Sequence, residues 1–296
     1  MKWINGFYLI SIFLCATLSI SANEHERWLQ AADSLFRGGN WFEASILYER
    51  AYYTSTDARG RIVANLAKGE AMKEMGEFSR ARRDLQRSVT FRGDESLREE
   101  LLYQLALCAY LEGDAAGARS YLLQIKHGFE QMPRSRTFLL QGLVIIEEER
   151  WDDLRPHLEN WFLETNEPSE LRDDYLYAFD NMVAELGGIP SPRDPDRARM
   201  WSTFLPGAGQ FYAGSAGWGV LNAFSQMAAL GGFGLMAWNG YYIAGVFAGL
   251  GPFQSLYFGG IRQAGTLAEQ KNKSRMDEFQ AALKRFLLDV AAQKQQ

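Results

Sequence analysis

No Asp, Glu, Lys, Arg or His occurs between Met200 and Ile261, although the 296-residue chain carries 31 basic and 36 acidic side chains elsewhere. That absence excludes an ordinary solvated surface for the segment and splits the sequence into a polar part and an apolar part. Cysteine is nearly as scarce. Of two, Cys15 lies in an apolar N-terminal stretch; if that stretch is removed on export, Cys108 stands alone and no internal disulfide forms. Cys108 itself falls in the helical apolar run LLYQLALCAYLEG, where a small buried side chain is the plainer reading than a nucleophile. The three histidines, His25, His127 and His157, are isolated, and none has a metal-ligand partner at i+4. No G-x-S-x-G and no phosphate loop is present, and GGFGLMAWNGYY has neither the preceding strand nor the charge of a nucleotide fingerprint. A net charge of −5 gives no basic footprint for nucleic acid. The expectation is a chain that is not an enzyme, with no cofactor and no metal.

What is there begins with an export signal. MKWINGFYLISIFLCATLSISA has Lys2 near its start, an apolar run from Phe7 to Leu18, and small residues at Ser19, Ser21 and Ala22. The run is shorter than the ~20 residues of a spanning helix, so residues 1–22 are read as a signal peptide cleaved after Ala22 or slightly earlier. A lipoprotein signal at Cys15 is the alternative, but Phe13 and Leu14 stand where that processing prefers small residues.

The polar part repeats itself. GNWFEASILYERA, GEFSRARRDLQRS and GDAAGARSYLLQI start at Gly39, Gly76 and Gly113, each 37 residues after the last. Five positions beyond each glycine stands Ala44, Ala81 or Ala118; four further on, Tyr48, Leu85 or Leu122; seven before it, Ala32, Gly69 or Ala106. A looser fourth copy places Gly142 before ERWDDLRPHLENW, with Trp151, Leu154 and Leu158 in the aromatic, small and large positions. Small residues at matched points let two antiparallel helices approach, the large one fills the space beside them, and glycine ends the first helix. One such pair cannot bury its apolar stripe alone, so pairs must stack.

On Trp28, Ala32, Leu35, Gly39, Trp41, Ala44, Tyr48 and Ala51, the chain resembles a tetratricopeptide repeat protein over roughly residues 24–164. Lys68 departs from that pattern where leucine is usual, and the closing proline is absent. The resemblance implies a concave face that binds a peptide or protein, with Leu29, Asp33, Leu66, Glu70, Tyr103 and Leu107 at groove-facing positions. These lack the Lys and Asn of versions that grip a C-terminal carboxylate and fit an extended segment with apolar anchors. The competing reading is that several of them merely pack against neighbouring helices. A further helix, over NEPSELRDDYLYAFDNMVAELGG, covers the last repeat and closes a region of 24–188. IPSPRDPDRAR, over 189–199, reads as a stiff linker whose arginines suit lipid headgroups.

The uncharged part, 200–260, holds two stretches of bilayer length, 219–238 and 241–260, joined only by Asn239 and Gly240. They read as a transmembrane helical hairpin in contact at Gly245 and Gly249, with a hairpin buried in a soluble protein as the alternative. Before them, Met200, Trp201, Phe204, Leu205, Phe211, Tyr212 and Trp218 supply interfacial aromatic and apolar side chains, and Pro206 and the glycines break any helix. Residues 200–217 are therefore expected to form an interfacial or re-entrant turn, with Gln210 satisfying freed backbone groups. Leu205, Pro206, Gly207, Gly209, Gln210, Tyr212 and Gly214, with Asn272 downstream, resemble a small bacterial membrane domain of unknown function with an LPGxGQxYxG signature. That resemblance implies an envelope location and no activity. The tail, 261–296, is an amphipathic helix with Met276, Phe279, Leu283, Phe286, Leu287 and Val290 on one face; it lies on the membrane, pairs with a partner, or docks on the repeats.

The fold expected is all-α: a TPR-like helical-hairpin solenoid, a transmembrane helical hairpin and a C-terminal amphipathic helix. The function expected is a non-enzymatic adaptor in the bacterial inner membrane, its repeats on the periplasmic side, with a protein partner and the lipid bilayer as ligands. Sidedness is contested by the positive charge that flanks the hairpin at Arg193, Arg197, Arg199, Arg262, Lys271, Lys273 and Arg275. The alternative makes the hairpin the active part of a transport or lipid-handling assembly, through Asn222, Gln226 and Gln254.

Overall fold

A computed structural model describes residues 24–91, 93–129, 135–165 and 167–293. The expected signal peptide, 1–22, lies outside the described residues. Among those described, every regular element is helical, and the fold class is all-α. The chain divides into two compact units: Met1–Leu176 with Val290–Gln296, and Tyr177–Asp289.

The first unit is a succession of antiparallel helices. They are α1 (24–37), α2 (Trp41–Thr54), α3 (Ala58–Glu74), α4 (Phe78–Gln86), α5 (Glu95–Glu112), α6 (Ala115–Gly128), α7 (Ser135–Glu147), α8 (Trp151–Glu164) and the start of α9 (Ser169–Glu185). From α2 to α8 each helix packs on the next, and α5 also meets α3 and α7. Aspartates cap three starts: Asp57 accepts from the Gly60 N–H at 2.6 Å, Asp94 from Leu97 at 3.2 Å, and Asp114 from Gly117 at 2.8 Å.

One turn recurs within the pairs. Gly39, Gly76 and Gly113 have φ of 77°, 73° and 89°, and the residue after each donates its N–H to the carbonyl five back, at 2.8–2.9 Å. Arg150 makes the same bond to Ile145 at 3.0 Å, but the left-handed position before it is Glu149, at φ 54°. Counted from Glu149, Leu154 and Leu158 fall five and nine residues on, and Gly142 seven before. Gly142 thus holds the position of Ala32, Gly69 and Ala106, and Glu149 that of the turn glycine.

The second unit contains the end of α9, α10 (Pro195–Phe204), α11 (Ala208–Tyr212), α12 (Ala216–Trp238), α13 (Tyr242–Gly245), a π-helical turn (Val246–Leu250) and α14 (Gly251–Gln293), whose last residues belong to the first unit. Element boundaries differ from the sequence reading in three places. The last five residues of the stretch read as a linker are helical, because Asp194 caps α10 by accepting from the Asp196 N–H at 2.8 Å and Pro195 occupies its first turn. The junction 200–217 contains the end of α10 and all of α11, rather than only a turn. No boundary falls at 260: α14 runs on from the apolar segment into the charged tail. Within 241–260 the helix passes through the π turn, where the Gly251 N–H reaches Val246 five residues back, just before Pro252, which has no N–H to give. Among the described residues, one helix, Ala216–Trp238, is long and apolar enough to cross a membrane.

Candidate functional site

The repeat-packing residues form the core of the first unit. Ala32, Ala44 and Tyr48 cluster with Ala71; Ala81 and Leu85 with Leu101, Leu105 and Cys108; Ala106, Ala118 and Leu122 with Leu102 and Val144. The small residue before each turn faces the large residue after it, as Gly69 shows: a Cβ there would lie 3.1 Å from the Leu85 side chain. Close approach of the helices is thus set by pairing small with large across the hairpin.

The six groove-facing positions are less free than an open binding face requires. Leu29, Leu66, Tyr103 and Leu107 are half-buried against the core clusters. Asp33 accepts a 2.6 Å hydrogen bond from the Tyr48 hydroxyl, and burial beside Asp33 raises that phenol's pKa. Glu70 pairs with Lys73 at 2.8 Å, and Lys73 also donates to Gln104. Lys68 departs from the repeat pattern, which has leucine at its place. It is buried, with its ammonium between Glu49, at 2.8 Å, and Asp84. Arg87 grips Glu49 with two 3.0 Å bonds and lies over the Tyr52 ring, 4.9 Å from its centroid. Those hydrogen bonds, with help from Lys68, hold the Glu49 carboxyl down to about 2. A methylene stem and a shared ammonium thus take the place of leucine and tie α2, α3 and α4 together.

A cavity of about 250 Å³ opens between α5, α6, α7 and α8, beside the stacked rings of His157, Phe138 and Trp161. His157 donates from Nε2 to the Phe138 carbonyl at 3.0 Å, and burial lowers its pKa. Cys108 is fully buried, and burial pushes its thiol up to about 11, which removes the thiolate a nucleophile needs.

In the second unit the signature residues converge. A Cβ at Gly207 would lie 2.3 Å from the Gly219 carbonyl oxygen; at Gly209, 2.0 Å from that of Ala198; at Gly214, 2.3 Å from the Arg193 guanidinium. Arg193 donates to the Tyr212 carbonyl at 2.8 Å, and the Tyr212 hydroxyl accepts from the Asp194 N–H at 3.3 Å. Asn272 completes the clasp, accepting from the Arg193 N–H at 2.8 Å and donating to the Arg193 carbonyl at 2.7 Å. Gln210 is wholly buried, accepting from Ser202 at 3.1 Å and donating to the Gly260 carbonyl at 2.9 Å. Leu205 and Pro206 are not part of this interior; Leu205 is 63% exposed.

Two of these partners, Gly260 and Asn272, lie on one stripe of α14. Gly260, Ala264, Ala268 and Asn272 recur every four residues, and Ala264 and Ala268 pack fully buried against Ala198 and Ala213. Sequence reasoning singled out Asn272 alone. The four-residue spacing of small side chains ahead of it was the available signal for the helix stripe; Arg193, expected to suit lipid headgroups, instead donates to the Tyr212 carbonyl, and nothing in the sequence marked Ser202.

The hairpin contact is tight on one side only. Gly249 and Gly245 meet α12, where their Cβ atoms would lie 2.6 Å and 3.3 Å from Phe233 and Met236 respectively. Gly231, Gly232 and Gly234 face nothing within 4 Å. Asn222 and Gln226 are buried and bonded to each other at 3.1 Å, while Gln254 is exposed and apart from them. Comparison with protein-family models, curated proteins and solved structures finds no match to this chain.

Proposed function

We propose that the chain is a membrane-anchored adaptor of the bacterial envelope, whose tetratricopeptide-like repeats hold a protein segment while the glycine-rich hairpin fixes them to the inner membrane. One observation carries the anchor. Trp218, Val220, Leu221, Phe224, Met227 and Leu235 are all more than half exposed along α12, and Tyr241, Tyr242, Ile243 and Phe247 continue that surface. Such a surface far exceeds the apolar patch a soluble monomer leaves open, and in lipid it needs no further partner. Both stretches, 219–238 and 241–260, then cross the bilayer, and the repeats lie on the periplasmic side. The adaptor role rests on the succession of paired helices with a repeated left-handed turn.

A second reading, in which the hairpin is the working part of a transport or lipid-handling assembly, draws on Asn222 and Gln226. The Nδ2 atom of the first and the Oε1 atom of the second are buried without a hydrogen-bond partner. Photo-crosslinking residues placed in the full chain at Asp33 and Glu70, which reach solvent, or at Phe247, separate the readings. The adaptor predicts protein adducts at the repeat positions; adducts confined to Phe247 would transfer the role to the hairpin. Protease access in spheroplasts tests the sidedness, and retention of the chain in alkaline-washed membranes tests the anchor.

A further inference from the structure

We propose that the elbow between α10 and α11 is a binding site for one acyl chain of an anionic phospholipid. This rests on the membrane reading above and goes beyond it, since an anchor needs only bulk lipid. The elbow carries an open groove of about 490 Å³ lined by Trp201, Leu205, Pro206, Ala208, Phe211 and Tyr212. Its walls offer almost nothing polar. The N–H groups of Leu205, Ala208 and Phe211 already donate to Trp201, Leu205 and Gly207, at 3.0–3.1 Å, and Pro206 has none. The Tyr212 carbonyl is taken by Arg193. A peptide needs backbone partners that this groove does not provide; a hydrocarbon chain needs none.

The charge beside the groove fixes the class of lipid. Arg197 and Trp201 lie four residues apart on one face of α10, with the guanidinium one turn above the aromatic wall, and Leu205 follows as the extended residue that ends the helix. The Arg197 side chain is 70% exposed, and its ion pair with Asp194 is long at 3.6 Å. An alkyl chain lying along Trp201 and Leu205 therefore brings its headgroup phosphate to Arg197. The neighbouring Arg193 gives its guanidinium to the Tyr212 carbonyl at 2.8 Å, and Arg199 is paired at the surface with both Asp196, at 2.6 Å, and Glu269, at 3.1 Å. Arg197 is the arginine of the three left to serve a ligand.

The test uses the full chain reconstituted in vesicles of phosphatidylcholine and phosphatidylglycerol at three to one, with a trace of either lipid carrying a diazirine in its acyl chain. Adducts located by mass spectrometry are expected to concentrate on 201–212 relative to Val220, Phe224 and Met227, which face bulk lipid. Phosphatidylglycerol should label the groove more strongly than phosphatidylcholine, and Arg197→Gln should lower that preference about five-fold, the effect of one cation at a lipid surface. Excess unlabelled phosphatidylglycerol should abolish the enrichment in the unaltered chain, a check independent of any variant. An even distribution of adducts, labelling indifferent to headgroup, or copy-to-copy crosslinks through Trp201 each overturn the proposal while leaving the anchor standing. Release of the chain from the vesicles by alkaline wash overturns both.

Discussion

Alanine at two glycines of the apolar part should have opposite effects. At Gly209 a Cβ would sit 2.0 Å from the Ala198 carbonyl oxygen and 2.3 Å from the Ser202 hydroxyl, where real Cβ atoms stay beyond 3.0 Å. The oxygen belongs to helix backbone and cannot rotate away, so α11 must withdraw from α10 by about 1 Å. Overpacking of that kind costs about 1–3 kcal/mol. The withdrawal also breaks the 3.1 Å bond from Ser202 to Gln210, leaving a fully buried amide oxygen unpaired for about 1–3 kcal/mol more. Against this stands the gain of alanine over glycine in a helix, about 1 kcal/mol. The balance is a loss of about 1–5 kcal/mol. At Gly231 no atom lies within 4 Å, so only the helix gain applies and Gly231→Ala should be neutral or stabilising by up to about 1 kcal/mol. Thermal unfolding of the full chain in one mild detergent, followed by far-ultraviolet circular dichroism, reads both. Equal midpoints for the two variants, or a loss at Gly231 as large as at Gly209, would refute the packing argument.

Four further outcomes follow from single contacts. Glu149→Gly relieves a left-handed residue with a side chain and should raise stability by about 1 kcal/mol, whereas Gly113→Ala, in the matching turn, should lower it by a similar amount; chemical denaturation midpoints compare them. Glu49 has a carboxyl pKa depressed from 4.5 to about 2, so its contribution is complete above pH 4.5 and is lost as pH falls towards 2. The stability difference between the unaltered chain and Glu49→Gln should therefore shrink across that window, and a difference that stays flat contradicts the ion-pair account. Asn272→Ala removes both bonds to the Arg193 backbone and should cost about 2 kcal/mol, measured by the same thermal unfolding. Cys108 should resist alkylation at pH 8 until denaturant is added, as judged by peptide mapping.

Side-chain size repeated at fixed spacing was legible in the sequence because it obeys local geometry. Ala32, Ala44 and Tyr48 recur with their offsets intact, and those offsets alone place them in the buried core. The fourth turn was harder to read, since the signal sought was glycine and the chain has Glu149 there. A left-handed residue with a side chain leaves no mark in composition; it becomes visible only when the bond from Arg150 to Ile145 is drawn. Groove-facing positions carried over from a resemblance are the least legible. Periodicity says which face of a helix a residue occupies, but not whether a neighbour covers it, and Leu66 and Tyr103 pack against their own clusters.

The LPGAGQFYAG stretch gains its meaning from residues far along the chain. Each of its glycines is required by a backbone or side chain that the motif does not contain: Gly219 for Gly207, Ala198 for Gly209, Arg193 for Gly214. Its polar members behave alike, Gln210 holding the Gly260 carbonyl and the Tyr212 hydroxyl accepting from the Asp194 backbone. The local spelling is therefore the imprint of a packed cluster of α10, α11, the start of α12 and the middle of α14. In such a cluster the exposed Leu205 and the half-buried Pro206 contribute nothing to the interior. Structure alone gives no reason for a leucine at 205, on the outer wall of an apolar groove; a hydrocarbon ligand does.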